Sequence, residues 1–143
     1  MSGGIQKHIK TLRRMTGVAV EVGWLHGDTY PNGKTVAEVM EMNEFGMGEL
    51  PMRPVLRQSR EVFNRQVGTF IHKLTAQVLD SGGSPDDIPE AMGELFVDIV
   101  RNEIDSSAFV ANKASTIKRK GFNHPLYETG LAYETVSYKV IKK

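Results

Sequence analysis

Two long stretches of helical periodicity, back to back and separated by one break, constrain this chain most. From Val55 to about Leu79 the apolar residues Leu56, Val62, Phe63, Val67, Phe70, Ile71, Leu74 and Val78 recur at steps of three and four. Such spacing places them on one stripe of a helix. Ser81-Gly82-Gly83-Ser84 interrupts the pattern, and a second helix then runs to about Ser106. Ile88, Met92, Leu95, Phe96, Ile99, Val100 and Ile104 form its apolar face, and Ser84 or Asp87 is the expected cap. Two amphipathic helices joined by so short a break are expected to pack as an antiparallel pair.

The flanking segments supply strands. Val18 to Leu25 is short and β-branched, and Thr135 to Ile141 alternates Val136, Tyr138 and Val140 with Ser137 and Lys139. Both read as strands. Ile5, Ile9 and Leu12 mark a short basic helix over 5–15. Thr35 and Glu38 have capping-box spacing, so a helix starts there, runs to about Phe45 and stops at Gly46. Val36, Val39, Met40 and Asn43 make its inward stripe. The expected fold is α+β, one domain over 1–143. A small mixed or antiparallel β-sheet packs against two long antiparallel helices, with a short N-terminal helix and an extended basic loop at about 109–128. At 143 residues and 40% hydrophobic, the chain can bury a core without disulfides or metal.

Composition excludes several kinds of chemistry. The absence of cysteine removes disulfides, thiolate metal sites and a cysteine nucleophile. The four histidines, His8, His26, His72 and His124, have no metal-ligand spacing. Asn32-Gly33-Lys34-Thr35 matches only the end of a phosphate loop, because the required first glycine falls on Asp28. No cofactor is expected. No apolar run is long enough to cross a membrane. The first residues lack the apolar core of a signal peptide, so cytosolic synthesis is expected.

Charge is segregated although the formal net charge is only +1. Asp86, Asp87, Glu90, Glu94 and Asp98 form an acidic block at the start of a helix, where they complement its dipole. Lys113, Lys118, Arg119 and Lys120 form a basic one, which is either a solvated arm, a contact to a neighbouring subunit, or a phosphate-neutralising segment. Between the helix ending at Phe45 and the first long helix lies NEFGMGELPMRP, a loop punctuated by glycine and kept extended by Pro51 and Pro54. Its Arg53 either binds a carboxylate or backbone carbonyls as an anchor, or caps carbonyls locally. Trp24, the sole tryptophan, is expected in the core or as an interface anchor.

Four ordered segments resemble the small neck or tail-completion proteins of long-tailed bacteriophages, the group that includes the lambda minor tail protein Z type. They are VEVGWLHGDTYPNGKTVAEVMEMNEFG (20–46), LPMRPVLRQS (50–59), ASTIKRKG (114–121) and PLYETG (125–130). Val55 stands where that group usually has an aromatic after Arg-Pro. The resemblance implies a non-enzymatic virion component at the head–tail junction, present in the host cytoplasm during assembly. It would form a homo-oligomeric ring, a hexamer or dodecamer, touching other neck, connector and tail-tube proteins. DNA would meet it only by passing through the ring. A tail terminator or connector ring is the related alternative. A nucleic-acid-binding accessory protein is the alternative of another class, and a small enzyme would need His26, Asp28 and a further acid to converge. A ring needs one patch to meet a different patch on its neighbour. The subunit-contact candidates are therefore Glu44, Phe45, Arg53 and Pro54 around the loop, Lys113, Lys118, Arg119 and Lys120 in the arm, and Asp86, Asp87, Glu90 and Glu94 on the acidic face.

Overall fold

A computed structural model describes residues 2–14, 16–106 and 130–142. The expected basic loop, with Lys113, Lys118, Arg119 and Lys120, lies outside the described residues. The elements run α1 (Ser2–Arg14), β1 (Val18–Gly23), α2 (Val36–Phe45), α3 (Val55–Ser81), α4 (Asp87–Asp105), α5 (Leu131–Thr135) and β2 (Ser137–Lys142). The fold is α+β, as the periodicities require: a two-stranded antiparallel sheet among the described residues, with α3 and α4 packed together.

The two strands pair from Val18 opposite Lys142 to Gly23 opposite Ser137. This register puts Val18, Val20 and Val22 on the same face as Tyr138 and Val140. β1 stops two residues before the expected Leu25, because β2 offers no partner beyond Ser137. Trp24 turns instead toward α5 and donates its Nε1–H to the Ala132 carbonyl at 2.9 Å. On the other side, α5 takes Thr135, which the sequence pattern assigned to the strand.

α3 and α4 run antiparallel. Val55 shares a cluster with Ile104, and Phe63 meets Phe96 with ring centroids 4.8 Å apart. The close-packed core gathers at that end of the pair, where Val36, Met40, Val55, Val100, Ile104 and Val136 are all buried. Toward the other end the cover thins. Val62, Phe63, Val67, Phe70, Ile71 and Leu74 of the α3 stripe are only half-buried, so the expected inward face of α3 is incompletely covered.

Two local features have physical causes worth naming. Gly93 of α4 lies under the Tyr138 ring so closely that a Cβ there would stand 2.3 Å from Tyr138 Cδ2, so only glycine lets α4 and β2 approach. The α4 N-terminus departs from expectation: its N-cap is Asp86, whose side chain makes no cap hydrogen bond. Ser84 Oγ accepts the Asp86 amide at 3.2 Å, while the Asp86 carboxylate pairs with Arg14 at 2.9 Å.

Candidate subunit interface

The shoulder between α2 and α3 is built from local signals first. Thr35 and Glu38 form the complete capping box, with the Glu38 amide donating to Thr35 Oγ1 at 3.1 Å and the Thr35 amide to Glu38 Oε2 at 2.8 Å. α2 ends in a left-handed turn at Gly46, φ 64°, where the chain folds back so tightly that a Cβ would lie 3.0 Å from the Met52 amide. The loop then closes on the helix it left: the Arg53 amide donates to the Asn43 carbonyl at 2.6 Å. The Arg53 guanidinium is buried and donates to Asn43 Oδ1 at 3.3 Å, and burial pulls its pKa below the ordinary value.

The N-cap of α3 is Pro54, which offers no side-chain cap. Its first free amides are met from α2. The buried Glu44 carboxylate accepts Leu56 N–H on Oε2 and Arg57 N–H on Oε1, both at 2.9 Å. A carboxylate at a helix N-terminus satisfies orphan donors and complements the dipole. Arg57 reinforces it, with Nε 3.2 Å from Glu44 Oε1 and Nη2 donating to the Glu44 carbonyl. The same guanidinium sits 5.5 Å from the centroid of Phe45 and contacts Met52 Sδ at 3.1 Å.

The result is a shoulder, hydrogen-bonded to α2 at its far end, that carries apolar side chains outward. Phe45 is 62% exposed, Met47 49% and Met52 53%, with Leu50 at the margin. Exposed apolar groups on a fixed frame are what a docking surface requires, since little ordering entropy remains to be lost on contact.

The candidate residues thus separate into two groups. Glu44 and Arg53 are buried and committed to this chain's own frame, and Pro54 starts α3, whereas Phe45 is presented to solvent. Arg57, Met47 and Met52 escaped the sequence reading. Apolar residues inside a glycine-punctuated loop were the available signal, but nothing local ties Arg57 to Glu44. On α4, Asp87, Glu90, Glu94 and Asp98 are exposed along one face, and Asp86 is half-buried. Glu90 accepts the Tyr138 hydroxyl at 2.7 Å, and this bond, then burial and the charges of Glu90 and Glu94, push the phenol up to about 12. His26 and Asp28 are both exposed, and among the described residues no three His, Asp or Glu side chains converge as a metal site would need.

Between the sheet and the helix pair lies an open apolar groove of about 480 Å³. Val18, Val20 and Val22 of β1, Phe63 of α3, and Met92 and Phe96 of α4 are among the residues that line it. No described helix is long and apolar enough to cross a membrane. Compared with protein families, with curated proteins and with solved structures, the chain finds no match.

Proposed function

We propose that this chain is a structural virion protein of a long-tailed bacteriophage. In this reading it is a neck or tail-completion subunit whose copies form a ring at the head–tail junction. The observation that carries the reading is the α2–α3 loop: Phe45, Met47 and Met52 point outward from a backbone pinned by Glu44, Arg53 and Arg57. That construction suits gripping a neighbour rather than transforming a substrate. The ordered segments at 20–46 and 50–59, which resemble phage neck proteins, are the ones that build it. The exposed acidic face of α4 supplies a second, chemically different patch, as a head-to-tail contact needs. Lys113, Lys118, Arg119 and Lys120 are the basic groups proposed to meet it on the adjoining copy.

The test is the mass of the purified protein in solution, with a Lys118→Glu, Arg119→Glu, Lys120→Glu variant beside it. A closed multiple, six or twelve chains by the resemblance, is expected, and the triple reversal should impair its assembly. A monomer that binds duplex DNA with a steep salt dependence would overturn this reading in favour of a nucleic-acid-binding accessory protein. A tail terminator or connector ring would instead be separated by locating the protein in imaged particles.

A further inference from the structure

Two of the apolar side chains that the α2–α3 shoulder turns outward end in sulfur. Met47 is 49% exposed and Met52 53%, whereas Met40, on the inward stripe of α2, is 3% exposed. A thioether is an apolar group that a hydroperoxide converts into a polar one, the sulfoxide. Exposure decides which sulfurs a dissolved peroxide reaches, so Met47 and Met52 are open to it and Met40 is shielded.

The two open sulfurs are held differently. The Met52 backbone lies against Gly46, where a Cβ would stand 3.0 Å from the Met52 nitrogen. The next residue, Arg53, donates its amide to the Asn43 carbonyl at 2.6 Å. The sulfur itself is engaged: Arg57 Nη2 donates to Met52 Sδ at 3.1 Å, and Arg57 is in turn fixed by Glu44 Oε1, 3.2 Å from its Nε. Among the described residues no donor meets the Met47 sulfur. A thioether sulfur is a weak acceptor with two lone pairs, one on each side of its C–S–C plane. Arg57 occupies one of the two at Met52, so only the other is free to react.

We infer that Met47 and Met52 form an oxidant-responsive modification site on the docking surface, at which Arg57 steers oxygen to one lone pair of Met52 and sulfoxide formation releases the bound neighbour. The free lone pair attacks one oxygen of hydrogen peroxide. The S–O bond forms as the O–O bond breaks, and the proton on the transferred oxygen passes to the departing hydroxide, which leaves as water. Sulfur gives up two electrons and the peroxide takes them, so no further reactant enters. The product is a polar, chiral group on the face that also presents Phe45. The release rests on the reading that this shoulder grips another copy: a sulfoxide must shed its water to enter such a contact, and a thioether need not.

The test treats the full chain with limiting hydrogen peroxide and follows each methionine by peptide mass. Met47 and Met52 should be oxidised well ahead of Met40. The two sulfoxide epimers are then counted with the two methionine sulfoxide reductases, each of which repairs one epimer. Met47 should give nearly equal amounts. Met52 should show one epimer in roughly threefold excess, the bias that one weak hydrogen bond supplies. Arg57→Ala should bring Met52 close to equality, with circular dichroism showing that the variant is folded. Oxidation of both sulfurs should weaken self-association roughly tenfold or more. A Met47→Leu, Met52→Leu chain stays apolar at both positions and should keep its self-association in peroxide.

Oxidation of Met40 as early as Met52 overturns the inference. So do equal epimers at Met52 in the native chain, or a bias that survives in Arg57→Ala. A chain that is monomeric throughout, with the Met52 bias present, sustains the modification site and removes the ring reading. A ring that persists with both sulfurs oxidised overturns the release and leaves the ring reading in place.

Discussion

Replacing Glu44 tests whether a long-range cap, rather than an ion pair, starts α3. The buried carboxylate accepts two first-turn amides of a 27-residue helix, plus Nε of Arg57. Glu44→Ala orphans both amides. A lost cap costs about 1 kcal/mol, and hydrogen bonds to a charged acceptor are worth about 1.5–3 kcal/mol. Arg57 is half exposed, so solvent screening limits the ion pair itself to about 1 kcal/mol or less. Glu44→Ala should therefore cost about 3–4 kcal/mol. Glu44→Gln keeps an acceptor but turns an NH2 toward a donor, and should cost about 2 kcal/mol. Arg57→Ala should cost about 1 kcal/mol, including its contact over Phe45. Urea unfolding measures all three, followed by far-UV circular dichroism and by the fluorescence of Trp24, which is tied to Ala132 and so reports the packed end. A loss in Arg57→Ala equal to that in Glu44→Ala would refute the argument, because the energy would then reside in the ion pair.

Three other outcomes follow from single contacts. Gly46 and Gly48 share the left-handed conformation, φ 64° and 65°, but only a Cβ at 46 would crowd Met52, so Gly46→Ala should destabilise about 1 kcal/mol more than Gly48→Ala in the same urea assay; equal losses would remove the close approach. Gly93→Ala should lower stability by about 1–2 kcal/mol despite the better helix propensity of alanine, whereas in a Tyr138→Ala background it should raise stability by up to about 1 kcal/mol. The same sign in both backgrounds would mean that the ring does not occupy that space. Tyr138, held protonated by Glu90, should form phenolate near pH 12 rather than near its ordinary value, read as the ultraviolet difference between wild type and Tyr138→Phe. Its folded-state pKa is raised, so its contribution to stability is complete below about pH 10 and is lost as pH rises from there to about 12; a midpoint near 10 in the folded protein would remove the Glu90 bond.

The site was only partly legible in advance. The spacing of α2 puts Asn43 on its inward stripe, and Asn43 is buried. Glu44, its neighbour, is a subunit-contact candidate by sequence, yet its carboxylate is buried. Its partners lie 12 and 13 positions away, across a loop whose path no periodicity describes. Arg53 posed the same difficulty: a guanidinium in a proline-flanked loop can point either way, and the Asn43 contact decides it inward.

The sequence by itself determined the main helices and the start and stop of α2, because capping, left-handed glycine turns and apolar stripes act within about four residues, while the ends of both strands and the cap of α4 were set by their partners. The Thr35–Glu38 box, the stop at Gly46 and the two long helices are all of this kind. Only the tertiary structure decided which strand pairs with which, that Trp24 reaches Ala132 across 108 positions, and that Tyr138 lies on Gly93. It also decided that one end of the helix pair closes into a core while the other leaves an apolar groove. Those outcomes depend on the volumes that remain once distant segments meet, and local spacing carries no record of volume.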